Sequence, residues 1–225
     1  MIRQSKPFSM KKIIFVFSSL MLGLITAQAQ TTTFGFKAGI NANNLPLKTE
    51  SGDIDNIRLD GGHTGFHVGG IADISFTPNF SIQPNLLFAL KGGSLFTEGR
   101  TQIMTLDLPI NFLYKHNGFF IGVGPNLSYG LSAKLKPFDP DDDEIDLYEE
   151  QPGDEEPPFN RFEVGVNALM GYQFPGGLTI GTTFNRGFNN LLNDEDLIGT
   201  NTHVNTRFFG FSIGYMFGKT AVKKK

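Results

Sequence analysis

Phe209-Gly210-Phe211-Ser212-Ile213-Gly214-Tyr215-Met216-Phe217 decides how this chain folds. Phe209, Phe211, Ile213, Tyr215 and Phe217 place a large apolar side chain at every second position, and Gly210, Ser212 and Gly214 between them are small. A period of two sustained over this length is a β-strand with one face in an apolar medium. The opposite face offers almost nothing to a second packed layer, which suits the crowded interior of a small barrel.

Seven earlier segments repeat the pattern, at about Phe34–Ala42, Thr64–Phe76, Phe80–Lys91, Ile103–Tyr114, Phe119–Leu131, Arg161–Phe174 and Leu178–Arg186. The seventh, with Leu178, Ile180, Thr182 and Phe184 outward, carries the weakest alternation. Pro84 and Pro109 fall inside strands; each removes a ladder donor, so both are expected to mark bulges. Connections alternate between short turns (Thr77-Pro78-Asn79, Lys115-His116-Asn117-Gly118, Pro175-Gly176-Gly177) and longer loops at about 43–62, 92–99, 132–160 and 187–203. Short turns on one side and long loops on the other are the arrangement of outer-membrane barrels, the short side being periplasmic. Phe76, Phe80, Tyr114, Phe119, Tyr172, Phe174 and Phe217 would form the periplasmic aromatic girdle. The expected fold is all-β, an eight-stranded antiparallel up-and-down transmembrane β-barrel over residues 30–218.

Two segments lie outside that barrel. Arg3, Lys6, Lys11 and Lys12 precede an apolar run from Ile13 to Ile25, and Ala27-Gln28-Ala29 supplies a small-x-small cleavage site. Residues 1–29 therefore read as a cleaved secretory signal peptide. Residues 219–225 read as a basic, flexible tail. Taking the leader's four basic residues from 19 leaves 15 against 22 acidic ones, so the mature chain carries −7. That balance gives no support to nucleic-acid binding, whose usual mark is a basic patch. Cys is absent, which excludes disulfides and thiolate metal sites. Mean hydropathy is only −0.12, and no second long apolar run follows the leader. A barrel escapes that test because only alternate residues meet lipid. Twenty-seven Gly and 23 Phe suit small residues inside and Phe outside.

A soluble eight-stranded barrel of the lipocalin kind would show the same alternation with its faces exchanged. Counting separates the two. The apolar face carries six or seven bulky groups in most strands, more than an eight-stranded interior can hold. The other face must accept Lys37, Asp73, Lys91, Asp107, Arg161 and Glu163. Three positive and three negative groups are neutral together, and paired they would fill the lumen as a salt-bridge plug. A gated pore or proton path is the functional alternative.

Several short motifs carry a family resemblance: Phe36-Lys37-Ala38-Gly39-Ile40-Asn41, Gly65-Phe66-His67-Val68-Gly69, Ser81-Ile82-Gln83-Pro84, Leu106-Asp107-Leu108-Pro109 and Gly214-Tyr215-Met216-Phe217. With these the chain resembles the PorT-like bacterial outer-membrane barrels along nearly its whole mature length. The resemblance implies an eight-stranded barrel in the outer membrane of a Gram-negative bacterium, and a link to protein secretion through the family's named member. One departure is Gly218 to Lys225, which continues beyond the terminal aromatic.

The longest loop is also the most acidic, with eleven acidic and no basic residues from Asp139 to Glu156. Asp139, Asp141 and Asp143, with Glu150 eleven positions after the first, match the ligand spacing of a calcium loop. Glu144 stands where that loop needs Gly, and runs this acidic produce the spacing by chance. A solvated loop is the broader reading, with Pro137, Pro140, Pro152, Pro157 and Pro158 agreeing, and calcium binding the narrower one. Enzymes on small outer-membrane barrels need a nucleophile and base at the rim. His63 and His203 would lie near the extracellular rim, but nothing marks a Ser as their partner. His67 points inward toward Asn or Asp, and His116 lies in a periplasmic turn. No catalysis and no cofactor are expected. The expected protein is a monomer anchored by outer-membrane lipid, with a structural or interaction role accessory to secretion or adhesion through its loops. A narrow channel is the main alternative.

Overall fold

The computed structural model describes residues 31–44, 47–49, 52–54, 63–96, 99–137, 144–149, 157–192 and 203–217. Its elements are β1 (Thr31–Asn44), β2 (Leu47–Thr49), β3 (Gly52–Ile54), β4 (His63–Ser75), β5 (Phe80–Phe96), β6 (Gly99–His116), β7 (Phe119–Pro137), β8 (Ile145–Asp146), β9 (Phe162–Gln173), β10 (Leu178–Gly187), β11 (His203–Val204) and β12 (Arg207–Phe217). Eight long strands pair in the order β6-β5-β4-β1-β12-β10-β9-β7, and β6 pairs with β7 to close the ring. Every strand neighbours the next long strand in sequence, and β12 meets β1 antiparallel from Phe34↔Phe217 to Asn44↔Arg207. Closure removes every sheet edge from the barrel wall.

The apolar face is the outer one. On β12 the odd-numbered residues Phe209 to Phe217 are exposed, while Phe208, Gly210, Gly214 and Met216 are buried. On β1 Phe34 is 61% and Ile40 62% exposed, whereas Lys37, Asn41 and Asn43 between or beyond them are buried. Water would not tolerate such a surface. Lipid does, at about 1.5–3 kcal/mol for each large side chain removed from water. The girdle residues meet as pairs at the short-turn end: Phe80 against Tyr114, Phe119 against Tyr172 and Tyr172 against Phe174, with ring centroids 4.8–5.3 Å apart.

The short turns follow local chemistry. Asn117 and Gly118 both take positive φ (50° and 87°), the two-residue hairpin loop that Asn-Gly favours. In the first turn the Thr77 hydroxyl accepts the backbone N–H groups of Asn79 and Phe80. Asn79 also donates its side-chain amide to the Lys115 carbonyl at 2.7 Å, tying this hairpin to the next.

Three expectations are corrected. Pro84 and Pro109 mark no bulges, because Pro84↔Ile110 and Leu87↔Asp107 share one register, as do Pro109↔Asn126 and Phe112↔Val123. The missing donors leave local gaps in ladders that the flanking pairs hold in step. The register shifts lie instead between Gly93 and Phe96 and between Met104 and Thr105. The loops at 92–99 and 132–160 also contain much more strand than their composition suggests, since β5, β6 and β7 extend to Phe96, Gly99 and Pro137. Finally, the acidic loop is not wholly solvated. Beside the β7 extension β8 takes up the pairing where β9 ends (Leu135↔Ile145), and Leu147 and Tyr148 after it are buried. The signal peptide at 1–29 and the tail at 219–225 lie outside the described residues.

Candidate functional site

The inward face of each barrel strand carries the polar and charged residues, and they gather into separate groups along the lumen. Toward the long-loop end, Lys91 of β5 is 2% exposed. Its Nζ donates to Asp107 Oδ1 of β6 at 3.0 Å and to Ser128 Oγ of β7 at 3.2 Å, and stands 3.9 Å from Glu163 Oε2 of β9. Glu163 also accepts the backbone N–H and the hydroxyl of Thr206, at 2.9 and 2.7 Å. The Phe208 ring lies 5.7 Å from the ammonium. One cation thus bridges two carboxylates from different walls of the barrel. A buried set of this kind is costly to break, because removing one partner leaves an uncompensated charge.

A second group sits at the short-turn end around Asp73 of β4. Its carboxylate accepts from Lys115 Nζ (2.5 Å), Ser75 Oγ (3.2 Å), Gln83 Nε2 (3.1 Å) and Ser81 Oγ (3.4 Å). Its position next to His116-Asn117-Gly118 gives Lys115 the look of a turn residue in the sequence, but β6 runs on to His116. Counting alternate residues along the fourth predicted strand from Asp107 through Asn111 and Leu113 reaches Lys115, so the signal was present.

Between the two groups lie His67, whose Nδ1 is 2.7 Å from Asn41 Oδ1, and Asn167, which donates to Asn111 Oδ1 at 2.7 Å. Gly39 leaves the room His67 occupies, since a Cβ there would meet the imidazole. Lys37 faces the same region and has no ion-pair partner within 4 Å among the described residues. Voids are small. One of about 40 Å³ lies at the short-turn end between Lys37, Asp73, Lys115 and Thr179, room for a few waters. One of about 10 Å³ lies between Lys37, His67, Asp107 and Asn185, room for one at most.

Arg161 is not part of this interior. It precedes β9 and is exposed, because the inward alternation begins only once the strand does. Its guanidinium lies 4.5 Å over the Tyr148 ring and donates to the carbonyls of Tyr148 and Gly130 at 3.3 and 3.4 Å. Among the described residues the lumen still holds three cations and three anions, with Lys115 in place of Arg161.

Arg161 instead fastens an apolar cap. Leu147, Tyr148, Phe159, Leu191 and Leu192 from two long loops are buried together against Ile103 and Ala133 of the barrel wall. Backbone bonds join the pieces: Leu147 N–H to Ala133 O (2.7 Å), Phe159 N–H to Leu147 O (3.0 Å) and Asn160 N–H to Leu191 O (2.6 Å). Gly130 makes room for the Tyr148 phenol, and burial pushes that phenol's pKa well up. Glu144, just before β8, is held below the ordinary carboxylate range by hydrogen bonds from Lys136 and Lys134, whose Nζ atoms lie 2.9 and 3.2 Å away. The proposed calcium ligands Asp139, Asp141, Asp143 and Glu150 lie outside the described residues. Among the described residues no three His, Asp or Glu side chains are grouped closely enough to hold a metal.

The family model of the outer membrane protein beta-barrel domain matches residues 27–193. Among solved structures the chain is similar to neisserial surface protein A, at 9% identity, covering 83% of this chain and 99% of that one with a TM-score of 0.49. It is similar to OprG of Pseudomonas aeruginosa at 10% identity, 84% and 97% coverage and a TM-score of 0.40. Ail, the attachment invasion locus protein of Yersinia pestis, gives 11% identity, 81% and 98% coverage and a TM-score of 0.39. No curated protein matches the chain.

Proposed function

The chain belongs to the outer membrane protein beta-barrel domain family, and from that footing we propose that it is a closed barrel whose work is done by its loops. In this reading the protein is a monomer anchored by outer-membrane lipid. It presents its long-loop surface to a protein partner, in a role accessory to secretion, as the PorT-like resemblance implies, or in adhesion, and carries out no catalysis. The observation that carries the reading is the occlusion of the lumen, where Lys91 joins Asp107 to Glu163 beneath the cap of Leu147, Tyr148, Phe159, Leu191 and Leu192. A barrel that conducts has no use for both closures, whereas a barrel that displays loops gains a rigid platform from them.

One observation favours a second reading, a narrow path for water or small solutes. Asn41, Asn85, Asn111, Asn126 and Asn185 each keep a buried amide atom with no protein partner. Planar-bilayer recording of the refolded mature protein separates the two. The display reading expects no steady conductance at moderate voltage, and stable stepwise openings would put the channel in its place.

A further inference from the structure

Polar side chains from several walls of the barrel meet at one small space in the middle of the lumen. The lining of the void of about 10 Å³ includes Lys37 of β1, His67 of β4, Asp107 of β6, Asn126 of β7 and Asn185 of β10. None of these five is more than 7% exposed. Three of them keep an atom with no partner among the described residues: His67 Nε2, Asn126 Oδ1 and Asn185 Oδ1. The rest of two of these side chains is already engaged. His67 Nδ1–H donates to Asn41 Oδ1 at 2.7 Å, and Asn126 Nδ2–H donates to Ser128 Oγ at 2.9 Å. A buried amide oxygen left bare is costly unless something bonds it.

Charge says which occupant suits the space. Lys115 offsets Asp73, and Lys91 offsets one of the pair Asp107 and Glu163. The negative charge left over is matched by Lys37, which attracts Asp107 across more than 4 Å without an ion pair. Among the described residues the lumen is therefore balanced, and the void calls for neither a cation nor an anion. It calls for a neutral molecule that both donates and accepts hydrogen bonds. The size agrees, since a cavity of about 10–15 Å³ holds a single water.

We propose that this void is a binding site for one long-lived water molecule that bridges Lys37 to Asp107. The Lys37 ammonium donates to the water oxygen. One water proton goes to the Asp107 carboxylate and the other to the bare amide oxygen of Asn126 or Asn185, about the three bonds that a buried water usually makes. Lys37 also lines the void of about 40 Å³ at the short-turn end. Held by the bridge, it is the partition between the wet end of the lumen and the dry Lys91 cluster, a closure separate from the loop cap.

The test uses the isotope-labelled mature protein refolded in detergent micelles. Water-selective NOE and ROE spectra are read at the side-chain amides of Asn126 and Asn185, which line the small void. Cross-peaks of opposite sign in the two spectra are expected at both amides, the mark of a water held in place as against proton exchange. Asn185→Leu puts methyl groups where the water stands, and the Asn126 cross-peaks should fall at least tenfold. Lys37→Ala removes both the donor and the partition, so the water should exchange quickly and the opposite-sign pattern should vanish. Whichever variant gives a heat-modifiable gel band carries the comparison, and the parent spectrum decides by itself if neither does. A parent without opposite-sign cross-peaks at these amides, or the same cross-peaks in a folded variant, would overturn the proposal.

Discussion

The two ends of the lumen are closed in different ways. At the short-turn end Asp73 is held by four donors, Lys115 keeps 23% of its side chain in solvent, and a void of about 40 Å³ lies alongside. At the long-loop end the Lys91 cluster is dry and lies beneath an apolar cap that two loops build together. One end is closed by charge that water can still reach, the other by packing. The difference places the chain's capacity for tight, specific structure on the side that carries its loops.

The largest effect should come from the dry end. Lys91→Met strands Asp107 and Glu163 without their shared cation, and about 3–5 kcal/mol should be lost. Urea unfolding in detergent, followed by the heat-modifiable gel band, measures it. Replacing all three charges together by apolar residues of similar volume should recover much of the loss, which distinguishes an unpaired charge from a missing contact. Phe159→Ala comes next in its consequences, at about 3 kcal/mol of cap packing. Its effect is confined to the cap, so faster hydrogen exchange at Leu147 and Asn160 should appear while the barrel's own unfolding midpoint barely moves.

Lys115→Met probes the wet end. Asp73 retains Ser75, Ser81 and Gln83, and water can replace the ammonium, so about 1–2 kcal/mol is expected. A loss as large as that from Lys91→Met would erase the contrast between the two ends. The smallest effect belongs to Glu144. Its pKa is depressed in the folded protein, so the contribution of its pairing is present above the unfolded carboxylate value and fades as pH falls through the folded one. Hydrogen exchange near β8 should quicken only in acid, and Glu144→Gln should abolish that pH dependence. The pairing is solvent-exposed, and salt should weaken it.

The barrel was legible in the sequence because one physical signal recurs in every strand. Phe209 to Phe217 shows it most clearly, and Leu178 to Phe184, with Thr182 in the outward set, shows it least. Five of the six interior charges followed from parity alone. Arg161 did not, because parity holds only inside a strand and β9 begins one residue later. Lys115 was lost for the converse reason, its strand running on to His116 past an apparent turn signal. The cap was hidden by composition. Leu147 and Tyr148 sit inside the most acidic run of the chain, and their burial depends on Phe159, Leu191 and Leu192, which no local pattern connects to them. Bulges were misplaced because proline removes a donor without inserting a residue, and only an extra residue shifts a register.

The central claim is that the apolar face looks outward into lipid and the polar face inward. The absence of native Cys allows a direct test. Single substitutions from Phe209→Cys through Tyr215→Cys, each labelled with a fluorophore in lipid bilayers, would be read with a quencher attached to the acyl chains. Strong quenching at positions 209, 211, 213 and 215 and weak quenching at 210, 212 and 214 is the outcome the account predicts. The opposite alternation, or uniform access of a water-soluble quencher to the odd positions, would contradict it.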